Sequence, residues 1–229
     1  MARVKKIDNA DLKRFAKSSR KKKTRRIKVF FLIVCEGEKT EPNYFKKFRG
    51  QFGNVIFEVD CEGKGYNTIQ VVEEAIKIRN NNLNKYNRVW VVFDKDGFSD
   101  DSFNNAINKA RVNNIGCAWS NEAFELWYLL HFQYRNTPMS RNDYKDAIEN
   151  EIKNHIRDFK YAKNSTEMYD ILQKFGNQTQ AIENSERLSN LYDNQKYSAH
   201  NPRTQVYELV KQLIGKDETL NEEIKRAFE

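Results

Sequence analysis

The sequence predicts an α/β protein: a parallel sheet flanked by helices, followed by a helical C-terminal segment and preceded by a basic N-terminal arm. Three observations support this. Apolar runs alternate with helical stretches across residues 27–120, and strands separated by helices of these lengths pair in parallel through crossovers. From residue 121 to 229 the apolar residues recur at helical spacing, with no further strand-like run. Residues 1–28 hold 13 of the 40 Lys and Arg but two of the 32 Asp and Glu, so the excess positive charge lies in an arm assigned to residues 1–26. No Pro/Gly/Ser-rich linker divides the core (27–120) from the helical segment (121–229), which is expected to pack on it.

Each element follows from its local pattern. IKVFFLIVC, Ile27 to Cys35, is a continuous apolar run, as expected of a strand covered on both faces. A helix is expected from about Glu41, with Thr40 as N-cap and Pro42 tolerated in the first turn. NVIFEVDCEG reads as a second strand, and NTIQVVEEAIKIRNN as a helix with Ile69, Val72, Ala75 and Ile76 on its apolar face. NRVWVVF is a third strand ending at Asp94; a helix over Asp101 to Val112 leads to a fourth, IGCAWS. Beyond Asn121, NEAFELWYLLHF, NSTEMYDILQKF, QTQAIENSERLSNLY and PRTQVYELVKQLI read as helices, the last opened by Asn201 as N-cap and Pro202 as first helical residue. FELWYLLHF is apolar nearly all round, which suits a helix buried against the sheet better than a base-stacking platform.

Composition narrows the function classes. At 229 residues with 39% hydrophobic and 13% aromatic content, the chain can bury a substantial core. Nothing resembles a signal peptide and the Ile27 to Cys35 run is too short to span a bilayer, so a soluble cytoplasmic protein without membrane partners is expected. Cys35, Cys61 and Cys117 sit in or beside apolar runs and read as reduced buried thiols; His131, His155 and His200 lack metal-binding spacing, and His131 is expected to be a packing residue. Lys21, Lys22, Lys23, Arg25 and Arg26 in the arm suit nucleic-acid phosphates, the competing reading being a solubilising tail. Lys64, between two glycines after the second strand, is a further candidate phosphate contact.

The acidic residues carry the chemical argument. In an open parallel sheet with the common 2-1-3-4 strand order, the first and third strands are neighbours, and functional groups gather at their carboxyl ends. The first strand runs out at Glu36, the third at Asp94 and Asp96 in VVFDKDGFSD. If the chain stays extended past Asp94, residues two apart point the same way, and three carboxylates converge. Hard oxygen donors suit Mg²⁺ or Mn²⁺, which activate water and stabilise charge on a phosphoryl group. An EF-hand loop starting at Asp94 is excluded by Phe98 and Ser99, which stand where a ligand and a glycine are required. The bland alternatives are an acidic turn and a solvated strand end.

LIVCEGEKTEPNYF and VVFDKDGF resemble the glutamate and DxD motifs of the Toprim fold, shared by topoisomerases, bacterial primases and OLD-type nucleases. The wider series EGEKTEPNYF, FDKDGF, SNEAFELWYLLHF, YAK and NPRT, in that order, resembles the RloB family of bacterial proteins associated with restriction and abortive-infection loci. The resemblance implies a Toprim-like core in which Glu36 binds metal or handles protons, Gly37 makes the turn, and Asp94 and Asp96 bind Mg²⁺ or Mn²⁺. It further implies Glu125 as an added metal ligand, with Glu122 one helical turn earlier, and Lys163 as a neutraliser of the scissile phosphate. The implied activity is metal-dependent hydrolysis of DNA or RNA, tRNA included, by an anti-phage effector held inactive by an ATPase partner encoded nearby; a homo-oligomer is left open. No GxxxxGK[ST] motif occurs, so nucleotide hydrolysis would fall to that partner. Two alternatives stand beside this one: a non-catalytic nucleic-acid-binding or regulatory subunit, and a primase-like nucleotidyl transferase.

Overall fold

The computed structural model describes residues 27–53, 55–63, 65–82 and 85–228. The basic arm with Lys21, Lys22, Lys23, Arg25 and Arg26, and also Lys64, lies outside the described residues. In chain order the elements are β1 (Ile27–Cys35), α1 (Thr40–Phe45), β2 (Gln51–Phe52), β3 (Val55–Gly63), α2 (Thr68–Asn81), β4 (Arg88–Asp94), α3 (Asp100–Val112) and β5 (Gly116–Asn121). Then come α4 (Glu125–Leu129), α5 (Arg141–Lys153), α6 (Met168–Phe175), α7 (Gln178–Ser189), a 3₁₀ turn (Tyr197–Ala199), β6 (Arg203–Thr204), α8 (Val206–Leu213) and α9 (Glu218–Phe228).

The sheet order is β2-β3-β1-β4-β5-β6. β3, β1, β4 and β5 are parallel, and β2 and β6 pair antiparallel at the two edges. The four strands read from sequence therefore stand in the expected 2-1-3-4 order. Period-2 alternation splits β1 between two cores. Phe31, Ile33 and Cys35 join Trp90, Val92 and Ala118 beneath α1 and the C-terminal helices, with Leu126, Ile148, Leu172, Leu188 and Leu209 in the same cluster. Leu32 and Val34 join Val91, Phe93 and Trp119 beneath α2 and α3, with Val72, Ala75, Phe103 and Ala106. Burying each large side chain contributes about 1.5–3 kcal/mol. Both sheet faces being covered explains why these strands read as unbroken apolar runs.

Capping side chains fix several helix starts. Asn67 and Gln70 form a reciprocal capping box at α2, Ser99 caps α3 with Asp100 and Asp101 in its first turn, and Ser140 with Asp143 boxes α5. Three local expectations are corrected. Thr40 is the first residue of α1 and not its N-cap; its hydroxyl donates instead to the Lys163 carbonyl, tying α1 to the C-terminal segment. Asn201 and Pro202 do not open a helix: they lead into β6, where Thr204 pairs with Ser120 and the Gln205 N–H donates to the Trp119 carbonyl, so α8 begins at Val206. The edge strands β2 and β6 are two residues each, too short to show a period in the sequence.

Candidate functional site

The register of the central strands assembles the site. Cys35 lies opposite Val92, so Glu36 leaves β1 alongside the last two residues of β4. The Glu36 N–H still donates to the Val92 carbonyl (2.9 Å), and its Oε2 accepts from the Asp94 N–H (3.2 Å). Past Asp94 the loop keeps hold of β5: the Lys95 N–H donates to the Ser120 carbonyl (2.8 Å) and the Asp96 N–H to the Glu122 carbonyl (3.2 Å). Extended conformation does not persist there. Asp96 has φ +34°, a left-handed turn that aspartate tolerates better than most residues. A guanidinium reunites the two carboxylates nonetheless: Arg141, first residue of α5, donates Nη2 to Asp94 Oδ2 (3.1 Å) and Nη1 to Asp96 Oδ2 (2.8 Å).

Two further carboxylates complete the cluster. Glu125 opens α4, is 1% exposed, and its Oε1 accepts from the Tyr161 hydroxyl at 2.9 Å. Glu41, in the first turn of α1, is 5% exposed, and its charge acts on Glu36 and Asp94. Gly37 makes room for it: a Cβ at that position would lie 2.2 Å from Glu41 Oε2, so no other residue fits without moving the carboxylate. Asp94 itself is 6% exposed. Lys163 is exposed, and its charge bears on Glu41.

The electrostatics are those of a site short of positive charge. Burial pushes Glu36 up to about 7, overcoming the downward pull of the Asp94 N–H, and the Glu41 and Asp96 charges add to the rise. Asp94 is raised well above the usual carboxylate range, first by burial and then by Glu41, Glu125 and Glu36. Glu41 is raised by burial, with Glu125 adding to it, while Lys163 and Arg141 pull the other way. Burial works against the Arg141 cation, but Asp94, Asp96 and Glu125 outweigh it and hold the guanidinium charged. Asp94 Oδ1 and Glu41 Oε2 are buried with no hydrogen-bond partner. Leaving such oxygens unpaired costs about 1–3 kcal/mol each, more when charged.

This donor set fits a hard divalent cation by its chemistry: several carboxylates, two orphaned buried oxygens and no sulfur or imidazole among them. As the side chains stand, no three His, Cys, Asp or Glu among the described residues form a ready metal-binding group, and Arg141 spans the two aspartates. The cleft of about 620 Å³ lined by Arg88, Trp90, Gly116, Gln212 and Glu223 opens at the amino ends of β4 and β5. It is at the opposite rim from the carboxylates.

The motif series that forms this site is also what places the chain among known proteins. A family model described as RloB-like protein matches residues 31–213, which takes in every residue of the cluster. The chain belongs to the RloB-like family. No curated protein and no solved structure matches it.

The structure brings together Glu36, Asp94, Asp96 and Glu125 of the residues singled out in the sequence. Glu122 does not share a helical face with Glu125, because it lies in the bend after β5 and α4 begins only at Glu125. Lys163 contributes its carbonyl to Thr40 and its charge to Glu41. His131 packs: it is 1% exposed, its Nδ1 lies 2.9 Å from the Trp127 carbonyl, and its ring stands edge-on to Trp127. Three members were missed. Glu41 reads locally as an acid complementing a helix dipole, though it lies inside EGEKTEPNYF; Tyr161 belongs to the YAK motif whose lysine drew notice; Arg141 has no local signal beyond a helix start.

Proposed function

We propose that this RloB-like protein is a metal-dependent nuclease whose reaction centre is the carboxylate cluster at the carboxyl ends of β1 and β4, acting as an anti-phage effector. Glu36, Glu41, Asp94, Asp96 and Glu125 are the residues that would hold Mg²⁺ or Mn²⁺, which supplies Lewis-acid charge and an activated water when bound. The observation that carries the reading is the burial of Glu41, Asp94 and Glu125 at one sheet edge, with an oxygen of Asp94 and one of Glu41 left without a partner. Such a group is stable only if it takes up protons or a cation.

The chain's own residues have assignable parts. Glu36, pushed up to about 7 by burial in the cation-free protein, would give up its proton as the cation binds. The Asp94 N–H keeps Glu36 aimed at the aspartates, and the Tyr161 hydroxyl orients Glu125. Lys163 and Arg141 supply positive charge at the rim for a substrate phosphate. The substrate class, DNA or RNA, follows from the basic arm only as polyanion binding. Regulation by an ATPase partner encoded nearby belongs to the same proposal and rests on the family.

One observation favours the non-catalytic alternative: Arg141 bridges both aspartates without any ion. Incubating the full chain with labelled DNA and RNA in Mg²⁺, Mn²⁺ or EDTA decides between them. Cleavage that needs the cation and is lost in folded Asp94→Ala is the expected result. Binding without turnover, unchanged by Asp94→Ala, overturns the nuclease reading.

A further inference from the structure

Arg141 is unusual in how it is held. Its two Nη atoms go to two different carboxylates, Asp94 and Asp96, and not to both oxygens of one. Its Nε is buried with no partner. The side chain is 25% exposed, against 9% for that of Asp94. Its backbone is fixed independently of that contact, by the Ser140–Asp143 capping box. An anchored stem whose head is held by two charge-assisted hydrogen bonds can release the head without unfolding the helix.

Arg141 occupies one oxygen of each aspartate of the DxD pair, Oδ2, while Asp94 Oδ1 is buried and unpartnered. A divalent cation taken up by the cluster satisfies those carboxylates with twice the charge and repels a guanidinium beside it. Resting on the metal-site reading above, we infer that Arg141 is a resident counter-ion that a divalent cation displaces from Asp94 and Asp96, freeing its guanidinium to take a phosphate of the substrate. Arginine suits both tasks, since its planar fork matches carboxylate and phosphate oxygens alike. Empty of cation, the site is closed by its own arginine; loaded, it presents that arginine to the polyanion.

The test follows phenylglyoxal modification of Arg141 in the full chain, mapped by peptide mass spectrometry, with calorimetry of Mn²⁺ uptake. Modification is expected to be slow in EDTA, several-fold faster in Mn²⁺, and slow again when a phosphorothioate oligonucleotide is added to the Mn²⁺ protein. Arg141→Gln, where it folds, is expected to bind Mn²⁺ at least about tenfold more tightly, equivalent to about 1.4 kcal/mol. The wild-type labelling stands as the test where it does not fold. Mn²⁺ uptake with an unchanged labelling rate, or with affinity unaltered in folded Arg141→Gln, overturns the counter-ion proposal and leaves the metal site standing. Acceleration that the oligonucleotide fails to reverse overturns the phosphate role. No Mn²⁺ uptake by either protein overturns the metal site and this proposal together.

Discussion

Replacing Glu36 by Gln separates the two demands placed on the acidic cluster. The amide keeps an oxygen that can accept from the Asp94 N–H and removes one charge from a crowded, half-buried site. In the folded protein the Glu36 carboxyl is raised from 4.5 to about 7, mainly by burial. The native state thus holds its proton more tightly than the unfolded chain, and the associated stability is fully present below pH 4.5 and is lost as pH rises through 7. At about 1.4 kcal/mol per pH unit the loss reaches about 3 kcal/mol, and screening at this partly exposed position leaves about 1–3 kcal/mol.

Without metal, Glu36→Gln is therefore expected to be more stable than wild type at pH 8 by about 1–3 kcal/mol, and indistinguishable from it near pH 4.5. Urea denaturation in EDTA across this range measures the difference. Mn²⁺ should invert the order at pH 8, because a ligand at about 1,000 times its Kd stabilises the wild type by about 4.1 kcal/mol, more than the variant's advantage, and the variant loses a ligand. A variant equally destabilised at pH 4.5 and pH 8 in EDTA would refute the claim that Glu36 is held under electrostatic strain. An order unchanged by Mn²⁺ would refute the claim that this strain serves a cation.

Three other outcomes are expected. Tyr161→Phe leaves the buried Glu125 carboxylate without its hydroxyl donor and should cost about 1–3 kcal/mol in chemical denaturation, with Mn²⁺ affinity altered in the same sample. His131, pushed down to about 4 by burial, stays neutral while the unfolded chain protonates, so it withdraws stability as pH falls from 6.5 through 4; His131→Phe should flatten that acid limb by up to about 3 kcal/mol in pH-dependent denaturation. Alanine at Lys21, Lys22, Lys23, Arg25 and Arg26 should reduce the slope of log affinity against log salt for duplex DNA by about 0.9 for each phosphate that is no longer neutralised, measured by fluorescence anisotropy.

What the sequence discloses about this fold and site depends on whether a residue's role is local. Ile27 to Cys35 and Arg88 to Asp94 are legible because both-face burial demands unbroken apolar runs, and the strand order follows from a rule about crossovers and not from any one residue. Glu36 and Asp94 are legible because a charge ending such a run must either be solvated or be used. β6 is not: with two residues it owes its conformation to β5, and Pro202 before it carries the same signal as a helix start. Glu122 misleads for a related reason, since helical spacing continues through a stretch where the chain bends between β5 and α4.

Arg141 and Glu41 mark the limit more sharply. A charged residue at the start of a helix is ordinary on the surface, and its sequence neighbours are the same whether it faces water or a buried aspartate. Arg141 is 45 residues from Asp96, and only the packing of α5 near the carboxyl end of β4 gives it an acidic partner. Charge balance supplies the missing criterion. Once strand order gathers Glu36, Asp94 and Asp96 at one rim, a neutralising group must exist, and a protein that satisfies this need with its own arginine has kept the site folded in the absence of cation. That arrangement makes the residue hardest to find in the sequence the one that holds both aspartates of the cluster.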